Sequence, residues 1–116
     1  MLIRYKKAFE KIAMGLLSFM PNEKDLKKLQ ETMKFYENEK SWRLYLWKDE
    51  DVIGLVGVQI ISDLIVVQHI SVNPSHRHEG IGTRMLKALH DLYTDYTIQP
   101  TEETASFVDN RNVEEA

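Results

Sequence analysis

The run Leu64–Val72, which reads LIVVQHISV, constrains the fold of this chain more than any other segment. It is rich in β-branched residues and ends at Asn73-Pro74, so it predicts a central β-strand. After a polar loop, apolar side chains recur at helical spacing from Ile81 to Leu92. A buried strand that leads through a polar loop directly into an amphipathic helix predicts one unit of an α/β fold.

The segments on either side extend this pattern to the whole chain. By the same periodicity rules we expect a strand at residues 2–6, helices at 8–19 and 24–36, strands at 42–47 and 52–61, a short strand at 96–99 and a weak helix at 101–109. The predicted order is β-α-α-β-β-β-α-β-α, an α/β (α+β) arrangement around a mixed sheet. No repeat or linker divides the 116 residues, so residues 1–116 are predicted to form a single domain.

Composition excludes several classes of protein. Hydrophobic residues make up 43% of the chain and charged residues 28%, which is ordinary for a soluble globular domain. The apolar runs are far shorter than the roughly 20 residues that span a bilayer, and the N-terminus lacks the pattern of a secretory signal. We therefore expect a cytoplasmic protein with no membrane partner. The absence of cysteine excludes disulfides and thiolate metal sites.

Charge and histidine spacing exclude two kinds of ligand. The formal net charge of −3 provides no positive field that would hold nucleic acid, so no nucleic-acid partner is predicted. His76 and His78 are close in sequence, but no third ligand accompanies them. We therefore predict no metal site.

The loop between the central strand and the following helix carries the strongest functional signal. The first turn of a helix offers backbone N–H groups without an internal partner and the positive end of the helix dipole, and both favour phosphate oxygens. Gly80 and Gly82 would let a phosphate approach these donors, while Arg77, Arg84 and Lys87 add positive charge nearby. The two glycines would equally suit a tight turn without a ligand, and another phosphate ligand such as a nucleotide is a further alternative.

The spacing Arg77-x-x-Gly80-x-Gly82, after a strand that ends in ISVNP, resembles the acyl-CoA motif R/Q-x-x-G-x-G/A of the GNAT superfamily of N-acetyltransferases. The resemblance covers nearly the whole chain and is closest to the small members encoded in bacterial riboflavin operons. It implies a mixed, mostly antiparallel sheet flanked by helices, with acetyl-CoA or coenzyme A as the cofactor. It also implies an N-acyltransferase that moves an acetyl group to a small-molecule or protein amine.

The same resemblance implies which residues bind the cofactor. Backbone N–H groups across the motif would hold the coenzyme pyrophosphate, and the pantetheine arm would pair with the strand in a gap where the fourth strand splays from the fifth. A backbone N–H near Ile70 would polarise the thioester carbonyl. The residues implied are Arg77, His78, Glu79, Gly80, Ile81, Gly82 and Thr83 for the pyrophosphate, and Ile70, Ser71 and Val72 for the pantetheine arm.

His69 is the candidate catalytic base. It is next to the implied thioester position, and histidine titrates in the range that a general base requires. Strand alternation groups His69 with Val67 and Ser71, and Gln68 with Ile70, so the sequence leaves open whether the imidazole faces the cleft. Two alternatives stay open: a packed histidine without a catalytic role, and a water relayed by backbone groups as the base.

The C-terminal segment departs from the pattern of the superfamily. Members usually carry a tyrosine as general acid in the helix after the fifth strand, whereas Val108 falls at that place and Thr101 replaces the usual asparagine. We expect the fold to be C-terminally shortened by its last two strands, and we expect a homodimer to cover the open sheet edge. These departures keep a second function open, that of a coenzyme A-binding regulatory module with little or no catalysis.

Overall fold

A computed structural model describes residues 1–105, which form a five-stranded sheet with helices on both faces. The strands are β1 (Leu2–Arg4), β2 (Trp42–Asp49), β3 (Asp51–Ile61), β4 (Leu64–Val72) and β5 (Thr97–Pro100). The helices are α1 (Glu10–Leu17), α2 (Leu26–Asn38) and α3 (Ile81–Leu92), with single 3₁₀ turns at Lys7–Phe9, Pro21–Glu23 and Pro74–His76. The predicted α/β fold, a mostly antiparallel sheet flanked by helices, is confirmed.

The boundaries of the elements differ from the sequence prediction by a few residues. The first strand ends at Arg4, and α2 begins at Leu26 because Asp25 caps it, its carboxylate accepting a hydrogen bond from the backbone N–H of Lys27 at 3.3 Å. Of the predicted helix at 101–109, residues 102–104 form a turn. Residues 106–109 lie outside the part of the chain that the structure describes.

The strands lie in the order β1-β2-β3-β4-β5, and only β5 is parallel to its neighbour. The pairing of β4 with β5 runs from Leu64 opposite Thr97 to Val67 opposite Pro100 and goes no further. Pro100 has no backbone N–H with which to extend the ladder. The carboxyl half of β4 therefore borders a gap on the side of β5, as the family resemblance implies.

A β-bulge at Gln68 divides β4 into two halves. Gly57 on β3 is opposite His69, and the next residue, Val58, is opposite Val67, so Gln68 is the extra residue on β4. Val67 and Ile70 consequently lie on the same face of the sheet, in the core that contains α3. The prediction that alternation groups His69 with Val67 is wrong, because a bulge reverses the order of faces beyond it.

An apolar core lies on each face of the sheet, where the strands pack against the helices. The core on the α3 face is centred on Val56, Val58, Ile65, Val67, Met85 and Leu89, which are all fully buried. The core on the opposite face joins the sheet to α1 and α2 through Ala13, Leu17, Met33, Leu46 and Leu55. This packing fixes the start of α3 beside the carboxyl end of β4. No helix within residues 1–105 is long and apolar enough to cross a membrane.

Candidate active site

A cleft of about 350 Å³ opens where the carboxyl half of β4 meets the start of α3. Eight of the ten residues predicted to bind the cofactor line this cleft, and Glu79 and Thr83 do not. The eight are Ile70, Ser71, Val72, Arg77, His78, Gly80, Ile81 and Gly82. The opposite wall contains Phe19, Met20 and Pro21, which follow α1, and Glu103, which follows β5.

One side-chain hydrogen bond and two left-handed residues shape the loop that leads into α3. The side chain of Asn73 accepts a hydrogen bond from the N–H of Ser75 at 2.9 Å, and His78 and Gly80 both adopt left-handed conformations, with φ of 69° and 76°. A Cβ placed on Gly80 would meet nothing within 4 Å, so the positive φ rather than a lack of space favours glycine here. The N–H groups of the first turn of α3, which have no intrahelical partner, begin at the cleft.

Charged side chains around the loop suit a phosphate ligand. Arg77 and His78 are exposed at the rim of the cleft. Glu79, the one acidic residue of the motif, lies within 3.2 Å of His76 Nδ1. Its carboxylate is thereby held by His76, and Glu79 takes no part in the cleft wall.

The side chains at the carboxyl end of β4 are already engaged with the protein. Ser71 donates a hydrogen bond from its hydroxyl to the carbonyl of Leu16 at 2.7 Å, while Ile70 and Val72 pack in the core against α3. Because the side chains are used in this way, a ligand in the gap beside β4 would meet main-chain groups. This is the arrangement that β-strand-like pairing with an extended ligand requires.

His69 lies at the centre of a buried polar cluster that the sequence did not reveal. Its Nδ1 is 2.5 Å from the hydroxyl of Tyr36, and its Nε2 is 3.0 Å from Oε1 of Glu23. The hydroxyl of Thr32 donates to the same carboxylate at 2.9 Å. Only 2% of Glu23 and 9% of His69 is exposed. Three elements therefore meet at one imidazole: the connection between α1 and α2, helix α2, and β4.

The protonation pattern of this cluster follows from Glu23. Burial acts to raise its pKa, but hydrogen bonds from His69 and Thr32, with the positive charges of His69 and Lys28, outweigh burial, so the pKa of Glu23 is lowered. Because an ionised carboxylate only accepts hydrogen bonds, Nε2 of His69 carries the proton that faces it. The hydroxyl of Tyr36 faces Nδ1 of the same ring, and the pKa of Tyr36 is raised well above its usual value by burial and by the charge of Glu23.

A second cavity, of about 570 Å³, adjoins the cleft on the side of α2. Met20 and Glu103 line both spaces, so the cleft and the cavity meet at these two residues. Asn22 donates a hydrogen bond to Glu103 at 2.9 Å across their junction. The remaining lining residues are Asn22, Glu23, Asp25, Lys28, Thr32, Phe35, Trp42, Gln68 and His69.

Sequence reasoning missed the partners of His69. Glu23 lies between the two predicted helices at 8–19 and 24–36, and Tyr36 is the last residue of the second. A carboxylate within a helix-breaking turn is no signal of burial, because most such residues are exposed. The distances along the chain, 46 residues from Glu23 to His69 and 33 from Tyr36 to His69, leave only the tertiary fold to bring them together.

Two predictions concern features that the structure reports only in part. Within residues 1–105 no group of three His, Cys, Asp or Glu side chains is arranged to hold a metal ion. Val108, which falls where the family usually has its tyrosine acid, is outside the described residues. Its role stays a prediction.

Comparisons with known proteins show the family to which this fold belongs. A family model of the acetyltransferase (GNAT) family matches residues 9–112. An uncharacterized N-acetyltransferase in the lysA 3′ region of Bacillus methanolicus is 66% identical over 111 residues, which are 94% of this chain and 92% of that protein.

Solved structures share the fold at low sequence identity. A possible acetyltransferase from Clostridium difficile 630 has a TM-score of 0.78 at 11% identity, covering 99% of this chain and 87% of that one. The structure of AAC(6′)-Iy in complex with a bisubstrate analogue, CoA-S-monomethyl-acetylneamine, has a TM-score of 0.71 at 13% identity, with the same two coverages of 99% and 87%.

The fold and the cleft thus define a protein of the acetyltransferase class. The chain belongs to the acetyltransferase (GNAT) family, and its general activity is acyl transfer. The resemblance to members from riboflavin operons stays a prediction.

Proposed function

We propose that this protein is an acetyl-CoA-dependent N-acetyltransferase that acts on an amine acceptor. The observation that carries the proposal is the junction of two spaces at Met20 and Glu103: a cleft with the features of a coenzyme A site and a cavity that leads from α2 to the same point. A two-substrate enzyme needs its donor and acceptor to meet in this way.

The residues of the cleft fit coenzyme A. The first turn of α3, from Gly80 to Thr83, would hold the pyrophosphate, with Arg77 and His78 at the rim. The main chain of Ile70, Ser71 and Val72, which has no partner on β5, would pair with the pantetheine arm. The N–H of Ile70 is the proposed donor to the thioester oxygen.

Acetyl-CoA supplies an activated acetyl carbon. For transfer, the neutral amine forms a C–N bond as the C–S bond breaks, one proton leaves the nitrogen and one proton ends on the sulfur. His69 is the proposed proton acceptor, paired with the carboxylate of Glu23. Because Nδ1 of His69 faces Tyr36 at 2.5 Å, the proton would reach the imidazole through an intervening hydroxyl or water.

A second function, coenzyme A binding without efficient turnover, is favoured by one observation. Both ring nitrogens of His69 are within hydrogen-bond distance of protein groups. Neither nitrogen therefore points at the place where the amine substrate would lie. Acetylation of any primary amine by the purified protein would contradict this second function.

Calorimetric titration of acetyl-CoA into the protein tests the cofactor site. We expect micromolar binding that is lost in Gly82→Glu, because a carboxylate would face the pyrophosphate at the start of α3. Because Gly82 is buried, Gly82→Glu could also disturb the packing of the core. Arg77 is exposed, so Arg77→Glu provides a second variant that should weaken binding without disturbing the core.

Gly15→Glu is the matched control for this titration. It adds the same charge at an exposed helical glycine where a new Cβ meets nothing within 4 Å. Binding should be retained in this control. A folded wild-type protein that shows no binding of acetyl-CoA would overturn the proposed function.

A further inference from the structure

The cavity that adjoins the cofactor cleft, which we name the acceptor cavity, is lined by more acidic than basic residues. Its acidic residues are Glu23, Asp25 and Glu103, and its basic residues are Lys28 and His69, of which His69 is paired with Glu23. Glu23 lies at its inner end, where only 2% of the residue is exposed, whereas Asp25 and Glu103 are exposed at its mouth. The lining therefore changes from a desolvated carboxylate inside to two hydrated carboxylates outside.

Two of these carboxylates, Glu103 and Glu23, have lowered pKa values. The pKa of Glu103 is lowered by hydrogen bonds from its own backbone N–H and from Thr101, which outweigh the opposing effect of burial, and Asn22 and the charge of His69 lower it further. The pKa of Glu23 is lowered as described above, because its partners outweigh its burial. A recess with low-dielectric walls and charges of one sign concentrates ions of the opposite sign.

An aromatic wall adds a second, independent preference for a cation. Phe35 and Trp42 line the acceptor cavity and stack on each other, with ring centroids 5.1 Å apart. Phe35 is 47% exposed although it is a large apolar side chain. Stacked aromatic faces next to carboxylates attract cations through the ring quadrupole.

The position of the cavity decides which part of the acceptor meets these groups. The cavity and the cleft share Met20 and Glu103 as lining residues, and the reacting amine would lie next to these two residues. That amine has to be neutral when it attacks, so it cannot be the group that the ionised lining recognises. The lining must instead recognise a second part of the acceptor, located toward Asp25, Phe35 and Trp42.

Resting on the proposed function, we propose that the acceptor carries a second positive charge besides the amine that is acetylated, and that the acceptor cavity binds this charge. The acceptor class is a diamine or another amine with a further cationic group. Asp25 and Glu103 supply the neutralising carboxylates, Phe35 and Trp42 supply the aromatic faces, and Glu23 adds its charge from within.

Three amines that share a 4-aminobutyl group test the inference. They are 1,4-diaminobutane, butylamine and 5-aminopentanoate, whose far ends are cationic, neutral and anionic. We expect kcat/KM with acetyl-CoA to fall in that order, with the diamine at least about fivefold above butylamine, which is within the range of a few exposed ion pairs. Added salt should reduce the preference, because it screens exposed charges.

Conservative variants test whether the acceptor cavity causes the preference for the diamine over butylamine. In Asp25→Asn combined with Glu103→Gln, the ratio of kcat/KM for the diamine to that for butylamine should fall toward one. Both substitutions keep the local structure, since asparagine also caps helices and glutamine can still accept from Asn22. Glu31→Gln, on the exposed face of α2 and outside the cavity lining, should keep the wild-type ratio.

The outcomes separate this inference from the proposed function. Equal values for the three amines, or a preference for butylamine or 5-aminopentanoate, would overturn the inference while leaving acetyl transfer intact. Binding of acetyl-CoA without acetylation of any of the three would also overturn it. Failure to bind acetyl-CoA at all would instead overturn the proposed function.

Discussion

Gly57 on β3 governs how closely α2 can approach the sheet. A Cβ at this position would lie 2.0 Å from the hydroxyl oxygen of Tyr36 and 2.4 Å from its Cζ. The missing side chain lets the Tyr36 ring reach the sheet surface, where its hydroxyl meets Nδ1 of His69. The orientation of His69 thus depends on a glycine that is not part of any recognisable motif.

We predict that Gly57→Ala lowers the free energy of unfolding by about 1–3 kcal/mol, because Tyr36 is buried and the added methyl group forces it off the sheet. Urea denaturation measures the change. The matched control is Gly15→Ala, in an exposed position of α1, which should raise the free energy of unfolding by about 0.5–1 kcal/mol. A Gly57→Ala protein as stable as the wild type would show that Tyr36 is not held against β3.

At the scale of elements, Glu23 ties the connection between α1 and α2 to the sheet. Its carboxylate accepts from Thr32 on α2 at 2.9 Å and from His69 on β4 at 3.0 Å. The same connection provides Met20 at the junction of cleft and cavity. A buried charge that joins three elements in this way also makes their packing depend on pH.

We predict that Glu23→Gln lowers the free energy of unfolding at pH 7 by about 1–3 kcal/mol, since the amide cannot replace the charged hydrogen bonds of the carboxylate. A lowered pKa in the folded state contributes stability above the ordinary value of 4.5, and this contribution is lost as the pH falls through the folded-state pKa. The difference between wild type and variant should therefore shrink below about pH 4.5.

Urea titrations at several pH values between 3 and 7 measure this difference. The exposed Glu31→Gln serves as the control and should match the wild type throughout. A wild-type advantage that stays constant across this range would mean that Glu23 is not ionised in the folded protein.

The helices and strands were largely predictable from the sequence, but the face of the sheet on which each β4 side chain lies was not. Periodicity located β4 to the residue and α3 within one turn, because these segments carry strong and uninterrupted patterns. The bulge at Gln68 has no comparable signal, since LIVVQHISV reads as a regular strand. One extra residue reversed the order of faces beyond it, so the environment of His69 followed from strand pairing rather than from alternation.

At the scale of the whole molecule, the sheet edges bear on assembly. Within residues 1–105, β1 pairs only with β2, and β5 pairs only with β4 over four residues. We predict a homodimer in which an edge of this kind is covered, because unpaired N–H and C=O groups favour strand pairing between chains. Sedimentation analysis at high micromolar concentration should show a dimer, and a monomer throughout that range would contradict the prediction.

The sequence by itself determined the fold class, the order of the elements and the cofactor motif from Arg77 to Gly82. These features are local: strand and helix periodicity, turn residues and the spacing of glycines act within a few residues of the chain, and local interactions leave a pattern that can be read directly. Eight of the ten implied cofactor residues line one cleft for the same reason, since they are consecutive or nearly so.

Only the tertiary structure decided the partners of His69 and the character of the acceptor cavity. Glu23, Tyr36 and Glu103 are distant from β4 in sequence, and each has an ordinary local role as a turn, helix or loop residue. Their shared environment arises because the two cores fix α1, α2 and β5 around the carboxyl half of β4. The burial, charge and direction of the side chains around this half of β4 depend on packing over the whole chain. A local sequence pattern does not predict them.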